Sequence, residues 1–279
     1  MKIFDWFKLR GYTPTIPSDA TKYLDGTGVW SVPPGGGSGD YVQPLVNTEV
    51  AITGAVTATI SKQHACSGTT ADYTVTLPAA SGNTGKSLSF RMATGLTKLV
   101  TIDGNGSETI DGALTRIMWA GEAAHLYCDG SNWFKIGGKS IPMTTRLSRS
   151  TDQSFSANTW TACTFTAQDF GVPQMYDSGN SRLSIPRPSK YLVTCKMYVA
   201  ATGATDGFAG AAVNATDPSP YYSLSAPVSS GATVTAVFTG EFDLAAADFV
   251  NLSANTDGTS PKFLGAGVQT ITAIETVGW

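Results

Sequence analysis

Charged residues are scarce in this chain. They make up only 14% of its 279 residues, whereas roughly 25% is usual for globular proteins. Threonine, serine, alanine and glycine take their place, and such small or β-branched side chains suit strands and turns better than exposed helices. The 30 glycines are scattered between short apolar runs, which indicates many turns and not a collagen repeat.

The sequence also lacks a long basic run and a long apolar run. Its formal net charge is −3, and wrapping nucleic acid requires a clustered basic surface, so we expect no nucleic-acid partner. No stretch of about 18 apolar residues is present, which predicts no membrane span. Residues 1–11 are apolar but are interrupted by Asp5 and Lys8. We therefore predict no secretory signal, and expect synthesis in a cytoplasm without processing.

Residues for catalysis are few. The two histidines are His64 and His125, and no Gly-x-Ser-x-Gly nucleophile motif accompanies them. The spacings of His64 to Cys66 and of His125 to Cys128 leave open a thiol nucleophile or a zinc site. Polar side chains on strand faces explain these residues without either. We therefore expect no enzymatic activity, no metal and no cofactor.

Three carboxylates lie close together in sequence, at Asp103, Glu108 and Asp111. A glycoside hydrolase needs two carboxylates that face each other across the sugar. Asp103 and Asp111 each precede a glycine, and turn formation accounts for them. Enzymes that cleave polysaccharides on a β-helix usually have many stacked rungs, and no such repeat is visible in this sequence.

The four cysteines are widely spaced and contain no Cys-x-x-Cys pair. They are Cys66, Cys128, Cys163 and Cys195. Each lies in or beside a strand-like run, which favours buried, small apolar side chains. Disulfides between strands remain open at the level of the sequence.

The first segment, residues 1–19, carries apolar side chains among charged ones at roughly helical spacing. These side chains are Ile3, Phe4, Trp6, Phe7 and Leu9. The run is too short for a stable isolated helix, and its aromatic residues are unfavourable in water. We predict a tether that becomes ordered by docking into a larger particle. An interfacial membrane foot and a frayed terminus are the alternatives.

The second segment, residues 20–40, contains a hairpin signal followed by a hinge. Asp-Gly at 25–26 separates short β-prone pieces at 23–24 and 29–32, which predicts a tight turn. The Pro-Pro and glycine run at 33–39 predicts the end of the strand and a flexible hinge. The order Leu-Asp-Gly-x-Gly-x-Trp, then a Pro- and Gly-rich run, resembles a segment near the start of bacteriophage tail and head fibres.

The third segment, residues 41–138, has alternating apolar positions and frequent turn signals that are typical of a small β-domain. The alternating positions are Tyr73, Val75 and Leu77, and then Leu88, Phe90 and Met92. Three motifs follow in order: Leu-Pro…Gly-x-x-Gly-Lys at 77–86, Val-Thr-Ile-Asp…Gly-x-Glu-Thr-Ile-Asp-Gly at 100–112, and Asp-Gly-Ser-Asn-Trp at 129–133. This order resembles a β-module of phage fibre and spike proteins.

The fourth segment, residues 139–279, predicts a second all-β domain. One strand has a period of two, with apolar residues at 191, 193, 195, 197 and 199. Eight strand candidates suit a double-sheet jelly roll. They are residues 160–166, 182–185, 191–200, 207–214, 221–226, 233–242, 249–254 and 268–277.

Three pieces of this segment resemble the tumour-necrosis-factor and complement-type globular head. They are residues 176–193, 244–252 and 271–278. Pro-Ser-Lys at 188–190 stands where that family has a Pro-Gly corner. The resemblance implies a jelly-roll head that forms a threefold homotrimer, and heads of this type cap several phage fibres.

Two loops of this head are candidate receptor contacts. Asp217, Tyr221 and Tyr222 border a stiff, proline-containing turn, and Asn255 and Asp257 occur in a second predicted loop. Aromatic faces beside carboxylates and amides suit sugars, because rings stack on C–H groups while the polar groups bond hydroxyls. The alternative is that the two tyrosines begin a core strand.

These resemblances together imply an all-β, homotrimeric bacteriophage fibre or spike, made in the bacterial cytoplasm and assembled into the virion. Residues 1–19 would anchor it to capsid or tail proteins, and the head would bind a glycan or protein of the host surface. Trimer formation would cover exposed strand edges and multiply weak contacts by avidity. A capsid or tail decoration protein is the alternative, and a glycan-modifying enzyme is a further one.

Overall fold

The computed structural model describes residues 49–204, 207–216, 233–265 and 269–276, and the strand positions 23–24, 30–31 and 223–224. Contacts divide the chain into two units, Met1–Pro44 and Leu45–Trp279. In the first unit, β1 (Tyr23–Leu24) and β2 (Trp30–Ser31) pair in antiparallel fashion. The predicted pairing of these two pieces is therefore confirmed. The segment boundaries at residues 40 and 138 stay predictions.

The described part of the second unit consists of strands and one short 3-10 helix at Pro173–Met175. The strands are β3 (Glu49–Ile52), β4 (Val56–Thr57), β5 (Gln63–Cys66), β6 (Tyr73–Thr76), β7 (Ser87–Met92), β8 (Val100–Asp103), β9 (Thr115–Met118), β10 (Ala123–Cys128), β11 (Trp133–Lys139), β12 (Thr144–Arg149), β13 (Gln153–Ser154), β14 (Thr161–Ala162), β15 (Ala167–Gly171), β16 (Tyr176–Asp177), β17 (Arg182–Ser184), β18 (Ser189–Thr202), β19 (Gly207–Val213), β20 (Ser223–Leu224), β21 (Thr233–Leu244), β22 (Phe249–Thr256), β23 (Thr259–Phe263) and β24 (Gln269–Glu275). The all-β prediction is confirmed. Among the described residues, no helix is long and apolar enough to cross a membrane.

Residues 49–139, which we call the coil module, begin as a short parallel coil. Strands β3, β5 and β7 pair in parallel in one sheet, and β4, β6 and β8 pair in parallel in a second. Glu49, Gln63 and Ser89 stack upon one another, so successive turns of the coil take 14 and 26 residues. Turns of such unequal length leave no fixed period, which is why no stacked repeat was visible in the sequence. Strands β9, β10 and β11 add to the two sheets in antiparallel fashion.

Apolar side chains fill the space between the two sheets of the coil module. The six alternating positions predicted there are all buried. Trp133 at the start of β11 is fully buried, and its indole Nε1 donates a hydrogen bond to the Pro78 carbonyl at 3.3 Å. The aromatic ring therefore packs without leaving its polar atom unpaired, as buried tryptophan requires.

The described residues of the range 144–276, which we call the head, form a two-sheet sandwich. The first sheet contains the order β12-β24-β18-β21, and the second contains β17-β22-β19-β20. Counted along the chain, these eight strands read 1-8-3-6 and 2-7-4-5, which is the strand order of a jelly roll. The predicted jelly-roll head is therefore confirmed. Five short strands, β13, β14, β15, β16 and β23, extend the two sheets.

Strand β18 is the centre of the first sheet. It pairs with β21 over twelve consecutive positions on one side and with β24 and β23 on the other. Its odd-numbered residues from Tyr191 to Val199 are all buried, so the predicted period of two is confirmed. Alternate side chains face the second sheet because successive residues of a strand point to opposite faces.

The first strand of the head differs from the prediction. Residues 160–166 were predicted to be a strand, but only β14 (Thr161–Ala162) pairs, at the edge of β22. The first jelly-roll strand is β12, which lies between β24 and β15. The strand buries the polar residues Thr145 and Ser148 beside Leu147. Because its buried face is largely polar, a search for alternating apolar residues does not detect this strand.

Candidate functional site

A buried cation joins the coil module to the head. Arg187, between β17 and β18, is only 3% exposed. Its Nε donates to Glu275 Oε1 in β24 at 3.0 Å, and its Nη1 donates to Glu122 Oε1, just before β10, at 3.2 Å. Nη1 also donates to the Ile117 carbonyl at 2.9 Å. We call Arg187, Glu122 and Glu275 the Arg187 cluster.

Backbone groups complete the hydrogen bonds of this cluster. Glu122 accepts from the backbone N–H groups of Trp119 and Ile141, each at 3.0 Å, and Glu275 accepts from that of Met143 at 2.9 Å. Burial lowers the pKa of Arg187, but the hydrogen bonds and charges of Glu275 and Glu122 outweigh burial, so the pKa is raised overall. The guanidinium therefore stays charged and locks the two parts together.

A cleft of about 540 Å³ opens beside the Arg187 cluster. It lies between β9 of the coil module and the neighbouring ends of β18 and β21 in the head. Its walls combine apolar and charged side chains, among them Arg116, Ile117, Pro188, Lys190, Asp243 and Ala246. Because the walls come from segments far apart in the chain, no local motif in the sequence pointed to this cleft.

The charges of the cleft face one another. Lys190 and Asp243 are directly opposite on β18 and β21, and Lys190 Nζ lies 3.7 Å from Glu241 Oε1. Arg116 Nη2 donates to the Asp111 carbonyl at 2.9 Å. Burial lowers the pKa of Arg116, and the charge of Asp111 opposes this. The cleft thus presents charges of both signs beside apolar side chains.

The outer face of the first sheet carries exposed apolar side chains. Leu192 and Ile274 are direct neighbours on β18 and β24, with 37% and 42% exposure, and Val237 on β21 is 55% exposed. These three residues, which we call the outer sheet face, stand among threonine and lysine positions of the same strands. Apolar side chains on the outside of a sandwich are available to a partner.

The predicted receptor contacts fall into two groups. Asp217, Tyr221 and Tyr222 lie outside the described residues. Asn255 was predicted in a loop, but it belongs to β22, is only half-exposed and pairs with Phe208 of β19. Asp257 is exposed in the short bend between β22 and β23. The predicted loop placement was wrong for Asn255, because β22 continues to Thr256, whereas Asp257 does lie in the two-residue bend that follows.

The bend is tight because the chain crosses there from one sheet to the other. A Cβ atom on Gly258 would lie 2.8 Å from the Cβ atoms of both Ala201 and Ala204. Glycine therefore allows the backbone to approach the end of β18 closely. The predicted anchor residues Ile3, Phe4, Trp6, Phe7 and Leu9 all lie outside the described residues.

His64 and Cys66 are part of the core of the coil module. His64 Nε2 accepts a hydrogen bond from the Thr59 N–H at 3.0 Å, and Nδ1 lies 3.0 Å from the Ser89 carbonyl. The ring is therefore neutral, with its proton on Nδ1. Burial lowers the pKa of His64, against the effect of the Ser89 hydrogen bond. Burial also raises the pKa of Cys66 to about 11, so the thiol is a poor nucleophile.

The cysteines are free and buried in all four positions, which confirms that they serve as small apolar side chains and decides against disulfides. His125 Nδ1 lies 3.5 Å from the Ser89 hydroxyl, whereas the Cys128 thiol points to the Ala80 carbonyl. Within the described ranges, no group of three or more His, Cys, Asp or Glu side chains could hold a metal ion.

The clustered carboxylates bind backbone groups. Both oxygens of Glu108 accept from the Ala80 N–H, at 2.8 and 2.9 Å. Asp111 has a φ of 48°, and its Oδ1 accepts from the Lys135 N–H at 3.1 Å. The turn interpretation of Asp111 is therefore confirmed, and Glu108 ties two loops of the coil module together.

The fold and these features define a jelly-roll head joined to a short parallel coil by the Arg187 cluster. No family model matches the chain, and no curated protein matches it. Among solved structures, the globular domain of zebrafish complement 1qA protein aligns at 10% identity and a TM-score of 0.39, covering 50% of this chain and all of that domain. Murine APRIL (9% identity, TM-score 0.38) covers 48% of this chain and 99% of its own. The Eiger TNF from S. frugiperda (11%, 0.34) covers 50% and 93%.

Proposed function

We propose that this chain is a homotrimeric fibre or spike protein of a bacteriophage virion, which binds the host surface through its head. The ordered motifs of residues 20–40 and 77–133 support the phage assignment by resemblance. The observation that carries the proposal is the outer sheet face, because a jelly roll with Leu192, Val237 and Ile274 exposed gains stability by packing against copies of itself.

Two further copies of the chain are the partners that fit this face. The surrounding side chains include both signs of charge, such as Lys190 beside Glu241, so identical surfaces can complement one another around a rotation axis. The coil module also has apolar surface that further copies could cover, since Phe134 and Ile136 are exposed on its edge strand β11. An assembly that covers apolar edges also prevents uncontrolled strand pairing.

Sedimentation of the full chain tests the trimer. We expect the wild type at micromolar concentration to sediment at three times the 29.1 kDa of one chain. Ile274→Lys introduces a charge into the outer sheet face and should give monomers. The matched control is Phe208→Lys, because Phe208 is 39% exposed but lies on the second sheet. A monomeric wild type, or a trimer unaffected by Ile274→Lys, contradicts the proposed assembly.

Adsorption of labelled full-length protein to bacteria tests attachment. In this proposal, residues 1–19 anchor the trimer to capsid or tail proteins, while the head contacts a surface glycan or protein. Saturable binding to host cells, with competition against phage infection, is the expected result. Binding to virions without any adsorption to cells would instead identify a purely structural decoration protein. Release of sugars from host glycans on incubation would identify an enzyme.

A further inference from the structure

We propose that the cleft between the coil module and the head binds a neutral saccharide. Its volume of about 540 Å³ lies within the roughly 300–1,000 Å³ typical of small-molecule sites, which suits about one to two sugar units. The inference depends on the proposed function only for the source of the ligand, a bacterial surface. No local sequence signal marked this region as a contact.

The wall chemistry of the cleft suits a sugar. Ile117, Pro188 and Ala246 offer apolar surface to the C–H groups of a pyranose ring. Lys190 and Asp243, which are opposite each other on β18 and β21 and both line the cleft, offer a donor and an acceptor to neighbouring hydroxyls. Hydroxyl groups both donate and accept, so a pair of adjacent hydroxyls satisfies both side chains at once.

The charge balance favours a neutral ligand over an anionic one. The cations Arg116 and Lys190 are matched by Asp243 and by the single net negative charge of the Arg187 cluster. Glu241 lies beside Lys190 as well. Arg187 itself adds no attraction for an anion, because two carboxylates already surround its guanidinium. The charges named thus include two positive and three negative ones, so a carboxylated or phosphorylated sugar would meet more repulsion than attraction.

The cleft is also held in shape before any ligand arrives. Arg187 and Glu275 line the cleft, and the charged groups of the Arg187 cluster are all buried and hydrogen-bonded to both parts of the chain. The Tyr191 hydroxyl donates to the Arg187 carbonyl at 2.8 Å and fixes the corner before β18. A preorganised site loses less conformational entropy on binding, which makes recognition of a small, polar ligand feasible.

Saturation-transfer NMR on the full-length protein tests this inference. The probes are the methyl glycosides of glucose, galactose, mannose, rhamnose and N-acetylglucosamine, with methyl glucuronide as the anionic probe. We expect at least one neutral glycoside to bind with a Kd on the order of 1 mM, and the glucuronide to bind more weakly. Asp243→Asn and Lys190→Gln should each weaken binding roughly tenfold, as expected when a charge-assisted hydrogen bond is lost.

Two variants serve as controls. Glu49→Gln removes an exposed carboxylate and Lys139→Gln removes an exposed lysine, and both residues lie outside the cleft. Both should bind as the wild type does, and thermal unfolding should show that every variant is folded. The inference is overturned if no neutral glycoside binds, if the glucuronide binds best, or if neither Asp243→Asn nor Lys190→Gln weakens binding. Cell adsorption that persists in those cases would leave the proposed function standing.

Discussion

The Arg187 cluster yields the sharpest prediction about stability. Arg187→Met leaves Glu122 and Glu275, each 2% exposed, as buried carboxylates without their cation. Removal of one partner from a buried ion pair costs about 3–5 kcal/mol. Because two carboxylates depend on this one guanidinium, we expect the free energy of unfolding to fall by about 5 kcal/mol. That is a large fraction of the roughly 5–15 kcal/mol by which proteins are stable.

Urea unfolding of the full chain, followed by tryptophan fluorescence, measures this loss. Trp119 is a suitable reporter, since its Nε1 donates to the Ile141 carbonyl at 3.2 Å beside the cluster. The control is Arg91→Met, which breaks an exposed pair with Glu49. Such exposed pairs contribute about 0–1 kcal/mol, so this variant should unfold close to the wild type.

A triple variant separates charge from packing. Arg187→Met combined with Glu122→Gln and Glu275→Gln removes the buried charges, yet keeps oxygen acceptors for the backbone N–H groups that bond them. We expect it to recover a substantial part of the lost stability, because no uncompensated charge remains. Equal destabilisation by Arg187→Met and Arg91→Met, or no recovery in the triple variant, would refute this account of the cluster.

Three other predictions follow from the core. Because the pKa of His64 is lowered, the unfolded chain binds a proton that the native chain does not. The free energy of unfolding is therefore highest above pH 6.5 and falls as the pH drops below that value. Thermal melts between pH 7.5 and 5 should show this fall in the wild type and in His125→Gln but not in His64→Gln. All four thiols should resist Ellman's reagent at pH 8 and react only in guanidinium, because they are buried and free; rapid labelling of the native protein would contradict this. Gly104→Ala should destabilise the chain by roughly 1–3 kcal/mol or more, since its Cβ would lie 2.0 Å from the Glu108 carbonyl oxygen. The control Gly54→Ala, with open space around it, should have nearly the stability of the wild type. Similar urea midpoints for the two variants would argue against the steric explanation.

The strands with strong alternation could be predicted from the sequence. The period of two in β18 identifies its buried face, because a half-buried strand requires that pattern. Strands β12 and β23 gave no such signal. β12 buries threonine and serine, and β23 contains Pro261, so their positions are set by pairing with distant strands and not by local composition.

Tertiary arrangement explains the remaining differences. The parallel coil remained hidden because its turns differ in length, so pairing such as Glu49 with Gln63 follows no period. The cleft and the Arg187 cluster also depend on contacts between residues far apart, such as Arg187 with Glu122. By contrast, the predicted strand ended at residue 254 and left Asn255 in a loop, but the ladder between β19 and β22 continues through Thr256.

The place where the chain enters the head has a mechanical consequence. The coil module leads directly into β12, which lies inside the first sheet and bonds β24 along six positions and β15 on its other side. A pull on the head from the coil module acts along β12, while the hydrogen bonds of antiparallel strands run across it. The load therefore acts in shear on many inter-strand hydrogen bonds at once, and these bonds do not break one after another from one end of the strand.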